Sequence, residues 1–393
     1  MLRIRDPIHN YIHLDALGAE LADLPRVQRL RRVQQLGMGS LVYPGANHTR
    51  FEHSLGAHHL AGLAAEALAL PPEDRLAVQA AALLHDVGHG PFSHLCDPLF
   101  RDYLRRTHED VAVEALQKGA LPDLLERHGV DPARVASLVR GEGPLAGLVS
   151  GDLDVDRMDY LVRDSHYTGV NIGVDLARLV ADVAITPRGV AIHERSVPAA
   201  EMLLVTRLQM YATVYHHRTM RVAERMVERA LRLAIDAGEI RADDLPRMDD
   251  VAATYLLRHS KTDAWRWMKN VDHRKLHKVA LEEPIGGFRE DAIAEVAASH
   301  DRRLEVEARI ADALRAPPAD VLLDAPEPPT LPEGGALVVR EGGDVVDLHD
   351  VSALTRTLGA AQRDHWRLRV MVPEKRRAEA GPVAARVLAE ELG

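Results

Sequence analysis

Two histidines and two aspartates have the residue types and spacing of ligands to one divalent metal ion. His85 and Asp86 are adjacent at the end of an apolar run, His53 precedes them, and Asp156 follows about seventy residues later. Imidazole mixed with carboxylate suits Zn, Fe, Mn or Ni, and Mg less well. An ion held this way leaves positions open for water, whose pKa can then fall from about 15.7 to about 7. We therefore expect one divalent metal ion and hydrolytic chemistry.

Helical elements must bring these ligands together. Neighbouring residues on a helix point about 100° apart, so His85 and Asp86 can bind one ion only where a helix ends. Pro71-Pro72 and the Gly88/Gly90/Pro91 group interrupt the helical periodicity on either side of the pair. The pattern predicts helices over residues 53–69, 73–86, 93–105 and 107–118, and another after Asp154.

Further elements follow from the same patterns. Alternating residues predict a strand over 11–14 and a hairpin over 183–193. Beyond Pro198 no proline or glycine interrupts the helical spacing, so we predict one long helix to about Ile235. The remaining predicted elements are helices over 248–258 and 288–315, a hairpin over 337–348, a strand over 368–372 and a helix over 378–392.

The predicted fold class is mostly α: a helical core with a small α+β module at the C-terminal end. Four prolines within residues 326–332 cannot continue a helix or a central strand. We therefore place the core with its helical extension at 1–323, a Pro-rich linker at 324–335 and the accessory module at 336–393.

Composition excludes several classes of protein. The chain has 393 residues, of which 46% are apolar but only 4% aromatic, as expected of helices packed on helices. The formal net charge of −10 argues against a protein that binds duplex nucleic acid. No apolar run is long enough to span a membrane, and the start has no secretory signal. A single cysteine, Cys96, excludes an internal disulfide and fits a reducing cytoplasm, where we place the protein.

Three segments resemble the HD-domain phosphohydrolase superfamily, and within it the deoxynucleoside triphosphate triphosphohydrolases. They are His53-Ser54-Leu55-Gly56, His85-Asp86-Val87-Gly88-His89-Gly90-Pro91-Phe92-Ser93-His94 and Asp154-Val155-Asp156-Arg157-Met158-Asp159-Tyr160. The resemblance extends from about Asp6 to about residue 280. Because the first motif lies so near the start, we expect no sterile-alpha-motif domain.

The resemblance implies an activity and roles for particular residues. Water would attack the α-phosphorus of a nucleoside triphosphate substrate, releasing nucleoside and inorganic triphosphate. The implied metal ligands are His53, His85, Asp86 and Asp156. A second polar cluster, His94, Asp97 and His108, would transfer protons: we expect His94 to be the acid, oriented by Asp97, with His108 as a helper or a competitor for that role.

A triphosphate needs cations, and a nucleoside needs polar and aromatic contacts. The resemblance implies a substrate site formed by Gln35, Leu36, Arg50, His89, Arg157, Tyr160, Asp164, Arg207, Tyr215, His217 and Arg218. On a single helix, Arg207, Tyr215 and His217 would share one broad face. A tyrosine packed against C2′ would favour deoxyribose, since an added hydroxyl would clash or lose its hydration.

Many relatives bind an activating guanine nucleotide and assemble into homo-oligomers. Asp23, Gln28, Arg31 and Arg274 match positions that read the nucleotide in those proteins. However, Leu2 replaces a phosphate-binding lysine and Arg5 replaces an asparagine. We therefore expect no tetramer driven by nucleotide.

Other functions remain as alternatives. Within metal-dependent phosphohydrolysis they are a nucleoside monophosphatase, a cyclic-nucleotide phosphodiesterase and an alarmone hydrolase. If the protein is not an enzyme, the alternatives are a nucleotide sensor or a protein that binds single-stranded nucleic acid. The arginines from 207 to 218 favour a long phosphate tail, and the intact metal set favours an enzyme.

Overall fold

The computed structural model describes residues 2–326 and 335–393. Helices make up most of these residues, which confirms the mostly α fold class. Among the described helices, none has both the length and the apolar character needed to cross a membrane.

The chain up to Met210 is mainly helical, with two hairpins. Its elements are β1 (Leu2–Asp6), β2 (Asn10–Leu14), α1 (Ala16–Ala22), α2 (Pro25–Arg29), α3 (Arg50–Ala67), α4 (Pro72–Leu84), α5 (Asp97–Leu99), α6 (His108–Gln117), α7 (Ala120–Arg127), α8 (Pro132–Val139), α9 (Val155–Thr168), α10 (Leu176–Ala181), β3 (Val183–Thr186), β4 (Gly189–His193) and α11 (Val197–Met210). Most predicted helices are confirmed to within a few residues. The exception is 93–105, which forms a 3₁₀ turn, the short α5 and a π-helical turn.

The rest of the chain alternates helices with short strands. Its elements are α12 (Arg218–Asp236), α13 (Asp250–Arg258), α14 (Ala264–Asp272), β5 (Lys278–Pro284), α15 (Glu290–Ala298), α16 (His300–Ala313), β6 (Leu322–Asp324), β7 (Leu337–Val339), β8 (Val345–Asp347), α17 (Leu348–Val351), α18 (Ala353–His365), β9 (Arg367–Val372) and α19 (Arg377–Leu392). The predicted helix over 288–315 is two helices, because Ser299 caps α16 by accepting the N–H of Arg302 at 3.2 Å.

The single long helix predicted from Pro198 to Ile235 is wrong. A π-helical turn, Tyr211–Tyr215, follows α11, and His217 then takes a non-helical backbone conformation (φ −60°, ψ 128°). The side chain of His217 accepts the N–H of Thr219 at 3.3 Å and so caps a new helix, α12. Arg207, Tyr215 and His217 therefore do not share one face of a continuous helix.

The chain forms two compact units, and each draws on separate stretches of sequence. The first contains the described residues 2–210, 242–253 and 335–356, and the second contains 211–241, 254–326 and 357–393. In the first unit, β1 pairs with β2, and a four-stranded sheet has the order β3-β4-β7-β8. In the second unit, β9 lies between β5 and β6 and is antiparallel to both.

The division into a core at 1–323, a linker at 324–335 and a module at 336–393 stays a prediction. Strand β7 extends the β3–β4 hairpin in parallel register, and β9 completes the other sheet. Edge strands leave backbone groups unpaired, and these pairings satisfy them. Of the predicted linker, Asp324 lies in β6, and residues 327–334 lie outside the described residues.

Local signals in the sequence explain the elements that carry the site. The carboxylate of Glu52 accepts the N–H of Thr49 at 2.7 Å, which fixes the start of α3. Asp154 caps α9 by accepting the N–H of Arg157 at 2.7 Å. Helices α3, α4 and α9 pack together in the first unit, and α3 buries most of its residues.

Candidate functional site

Three elements of the first unit bring the four predicted metal ligands together. His53 lies in the first turn of α3, His85 and Asp86 lie in the 3₁₀ turn that follows α4, and Asp156 lies in the first turn of α9. From Nε2 of His53, the distances are 3.3 Å to Nε2 of His85, 3.7 Å to Asp86 and 2.9 Å to Asp156. From Nε2 of His85, they are 3.3 Å to Asp86 and 3.4 Å to Asp156.

These separations fit a single metal ion. Ligand atoms about 2.0–2.2 Å from one ion lie about 3–3.5 Å from each other. Both histidines also use their other ring nitrogen: Nδ1 of His53 lies 2.9 Å from Asp159, and Nδ1 of His85 lies 2.8 Å from the carbonyl oxygen of Ala82. A carbonyl oxygen can only accept, so His85 carries its proton on Nδ1 and directs the Nε2 lone pair toward the other ligands.

The electrostatics of the site reflect concentrated, buried charge. Burial lowers the pKa of His53, but hydrogen bonds to Asp156 and Asp159 and the charge of Asp86 outweigh it and raise that pKa to about 10. Burial raises the pKa of Asp86, but Arg50 and the neighbouring histidines lower it well below its usual range. The carboxylates are therefore ionised at neutral pH, as ligands to a cation must be.

A second cluster lies beside the first, with Asp97 at its centre. One carboxylate oxygen lies 2.9 Å from Nδ1 of His94, and the other lies 3.0 Å from Nδ1 of His108. Nε2 of His108 lies 3.1 Å from Glu109. The side chain of His94 is 67% exposed, whereas that of His108 is 15% exposed. Asp97 thus orients both imidazoles, and His94 is the more accessible of the two.

His89 links the two clusters. Its Nε2 lies 3.2 Å from Asp86, and its ring stacks on that of His108 with centroids 3.8 Å apart and planes 21° apart. One ligand atom from each of His89, His94, Asp97 and His108 lies within 4.8 Å of the others, so this group could also hold a metal ion.

Arg50 brings a buried positive charge to the metal site. Its Nη1 donates to Asp86 at 2.7 Å, and its Nε donates to Oγ of Ser93 at 2.7 Å. Its Nη2 is buried and has no hydrogen-bond partner among the described residues. One N–H donor of Arg50 is thus available next to the candidate ligands.

The loop between the two clusters has an unusual backbone. Phe92 and Ser93 both have φ of 60°, in the left-handed region. Asp250 stabilises this conformation, because its carboxylate accepts the N–H of Phe92 at 2.7 Å and that of Gln34 at 2.9 Å. Arg29 donates to the carbonyl oxygens of Val87 and His89 on the other side. Strained backbone held in this way is frequent at functional sites.

Most predicted substrate residues lie in the first unit. Asp156, Tyr160 and Asp164 lie on α9 at the expected intervals, and the ring of Tyr160 lies 6.3 Å from that of His53. Asp164 accepts a hydrogen bond from His48 at 2.7 Å.

Four further predicted substrate residues also belong to this unit. Gln35 and Leu36 are buried, and the backbone N–H of Gln35 donates to His48. Arg157 lies 3.3 Å from Asp154, and Arg207 lies on α11.

The other three predicted substrate residues belong to the second unit. Tyr215 lies 5.0 Å from Tyr211 between ring centroids, His217 caps α12, and Arg218 lies 2.5 Å from Glu282.

The predicted regulatory residues divide in the same way. Asp23, Gln28 and Arg31 lie in the first unit, where Nε of Arg31 donates to Gln28 at 2.8 Å and its guanidinium covers the ring of Phe51. Arg274 lies in the second unit, with φ of 54°.

Several residues of the site were not predicted from the sequence. Asp159 and Arg163 form a buried i, i+4 ion pair on α9, which could have been found from the helical spacing. Nor was a role predicted for His9, which lies in the turn between β1 and β2. Nothing in the sequence indicates that Asp250, on a distant helix, contacts the loop at Phe92.

Family models match most of the chain. A model described as the HD domain matches residues 50–164, and one described as the HD associated region matches residues 174–391. The chain belongs to the HD-domain family. The first model spans every candidate metal ligand and all three residues of the Asp97 cluster.

Curated relatives include an uncharacterized protein and a triphosphohydrolase. An uncharacterized protein of Methanocaldococcus jannaschii is 32% identical over 95% of this chain and 79% of its own length. The deoxynucleoside triphosphate triphosphohydrolase SAMHD1 of Homo sapiens is 32% identical over 60% of this chain. The match spans only 45% of the human protein.

Solved structures share the fold over nearly the full chain. A hypothetical protein from Aquifex aeolicus has a TM-score of 0.78 and 27% identity, and covers 97% of this chain and 99% of its own. A phosphohydrolase from Bacteroides thetaiotaomicron has a TM-score of 0.75 and 25% identity, and covers 95% and 100%. The architecture of this HD protein thus recurs, both units included.

Proposed function

We propose that this HD protein is a metal-dependent hydrolase that cleaves deoxynucleoside triphosphates to nucleoside and inorganic triphosphate. The observation that carries the proposal is that Nε2 of His53 and Nε2 of His85 each lie 2.9–3.7 Å from both Asp86 and Asp156, beside the imidazoles joined by Asp97. Similarity to the human triphosphohydrolase, 32% identical over 60% of this chain, supports the choice of substrate class.

His53, His85, Asp86 and Asp156 would hold the ion. When bound, a divalent ion polarises the phosphoryl group and orients the attacking water. The free Nη2 of Arg50 and the partly exposed guanidinium of Arg157 supply cationic donors for the phosphate oxygens. Arg207 is a further candidate for the phosphate tail, and His89 for the α-phosphate.

Proton transfer would complete the reaction. Water adds its oxygen to the α-phosphorus, and the bond between that phosphorus and the 5′-oxygen breaks. The leaving 5′-oxygen then needs a proton, which we assign to exposed His94, held by Asp97 through Nδ1. His108 shares the same carboxylate and buffers its charge.

The sugar and base would be read by the remaining residues. Tyr160, close to His53, would pack against C2′ and disfavour ribose, while Gln35, Leu36 and Asp164 line the sugar side. A guanine nucleotide at Asp23, Gln28 and Arg31 is a second ligand that we consider for a homo-oligomer.

Product analysis tests the proposal. Protein loaded with Mn²⁺ is incubated with each dNTP and each NTP, and the products are separated by anion-exchange chromatography. We expect nucleoside and inorganic triphosphate in equal amounts from dGTP, with ribonucleotides cleaved more slowly. Orthophosphate as the only inorganic product would instead indicate another HD-type phosphohydrolase, and no product from any nucleotide would favour a nucleotide-binding protein.

A further inference from the structure

One carboxylate behind the candidate metal ligands receives an unusual number of hydrogen bonds. Asp159 is fully buried, and its Oδ2 lies 2.9 Å from Nδ1 of His53. Arg163 donates to both oxygens of Asp159, at 2.8 Å and 3.0 Å. His9 approaches Oδ1 at 2.6 Å. Four contacts on two oxygens leave this carboxylate little freedom to rotate.

Two of the participating groups come from the hairpin formed by β1 and β2, which contains no candidate metal ligand. His9 lies in its turn, and Asp6 ends β1. One oxygen of Asp6 accepts the backbone N–H groups of Ile8 and His9 at 2.9 Å and 2.8 Å. The other accepts a hydrogen bond from Arg163 at 2.8 Å. Asp6 therefore shapes the turn that carries His9 and also anchors Arg163.

Close packing at Gly56 indicates that the network needs this geometry. A Cβ atom at Gly56 would lie 1.9 Å from Oδ1 of Asp159 and 2.5 Å from Nη2 of Arg163. Since Gly56 lies on α3 three residues after His53, only a glycine lets the buried ion pair on α9 lie this close to that helix.

We propose that the hairpin is a working part of the metal centre: Asp6 and His9 are positioning residues that orient the ring of His53 through Asp159 and Arg163. A histidine ligand binds metal well only when its second nitrogen is held by an acceptor, which fixes the tautomer and the ring plane. In this protein the acceptor is itself held by a separate element. The proposal depends on the metal site of the proposed function, but not on the substrate.

The test measures metal affinity directly. Mn²⁺ is titrated into metal-free full-length protein and the free ion is quantified by electron paramagnetic resonance, for the wild type, His9→Ala, His9→Gln and Asp6→Asn. His13→Gln is the matched control, because His13 lies on the same hairpin but is exposed. We expect His9→Ala to weaken Mn²⁺ binding by about 10–100-fold, His9→Gln to restore part of the affinity through its amide donor, and His13→Gln to change it less than about twofold.

A second readout separates positioning from damage to the fold. If His9 acts through His53, excess Mn²⁺ restores the kcat of His9→Ala for dGTP and leaves KM unchanged. Should His9→Ala be unfolded by circular dichroism, Asp6→Asn provides the same test, because its amide oxygen can still accept the turn N–H groups.

The possible results distinguish a failure of the hairpin proposal from a failure of the proposed substrate. A folded His9→Ala or Asp6→Asn variant with wild-type Mn²⁺ affinity would overturn the proposal. A wild type that fails to bind Mn²⁺ would also overturn it. A wild type that binds Mn²⁺ but cleaves no dNTP would reject the proposed substrate and leave the role of the hairpin to be judged on affinity alone.

Discussion

At the level of single residues, the clearest feature is that the aspartates of the site contact different groups. Asp86 and Asp156 lie close to the Nε2 atoms of the two candidate histidine ligands. Asp159 contacts Nδ1 of His53, and Asp97 contacts two other imidazoles. The neighbouring groups therefore determine what each of these identical carboxylates does. Substitutions at these positions should accordingly fail in different ways.

Removing a metal ligand should abolish metal binding and turnover together. For His85→Ala or Asp156→Ala, we expect Mn²⁺ affinity and kcat to fall by at least about 100-fold, since loss of a direct ligand should cost more than the loss of an outer partner. Metal content by mass spectrometry and triphosphate release provide the measurement. Full activity in either variant would refute the ligand assignment.

Asp97→Asn should slow the reaction without removing the metal. Burial lowers the pKa of His108, but Asp97 and then Glu109 outweigh it and raise that pKa above its ordinary value. The protonated form of His108 therefore persists above pH 6.5 and is lost as the pH rises through the raised value. We expect kcat to fall by about 10²–10⁴-fold, because His94 loses the carboxylate that orients it. A move of the alkaline limb of the pH–rate profile to lower pH would show that His108, and not His94, supplies the proton. Wild-type kcat in the variant would exclude the role of Asp97.

At the level of elements, the 3₁₀ turn at His85–Gly88 and helix α6 fit together closely. A Cβ at Gly88 would lie 1.9 Å from the carbonyl oxygen of His108 and 2.7 Å from the backbone nitrogen of Ala112. Backbone cannot move aside as a flexible side chain can. This contact therefore fixes the spacing between the metal ligands and the Asp97 cluster.

Gly88→Ala should consequently disturb both stability and catalysis. We expect a loss of about 1–3 kcal/mol or more in the free energy of unfolding, with lower kcat because His108 is displaced. Urea denaturation followed by circular dichroism measures the change. Gly173→Ala is the control, since a Cβ there meets no atom within 4 Å. Equal stability of the two variants would show that α6 adjusts without cost.

The sequence predicts those elements whose signals are local. Periodicity and prolines place α3, α4 and α9 correctly, and the motif spacing selects residues that the fold brings together. It does not predict the break after Met210, because Tyr211–Tyr215 lacks both proline and glycine. Nor does it predict the network behind His53: the contact between His9 and Asp159 joins positions 150 residues apart and depends on tertiary packing.

At the level of the whole molecule, the prediction concerns whether added nucleotide changes the oligomeric state. Arg31 contacts Gln28 and Phe51, and Leu2 offers no charge for a phosphate. We expect size-exclusion chromatography with light scattering to show little change in mass when GTP and dATP are added together. A clear shift to a tetramer would prove that Arg3 and Arg5, or other residues, substitute for the missing lysine.

The interleaved sheets have a consequence for synthesis on the ribosome. Strand β7 pairs with β4 about 145 positions upstream, and β9 lies between strands that both precede it. Neither sheet can close until β7 and β9 have been synthesised, so the edges of β4, β5 and β6 stay unpaired until then. A chain truncated before β7 would therefore lack a strand of each sheet and leave both units incomplete.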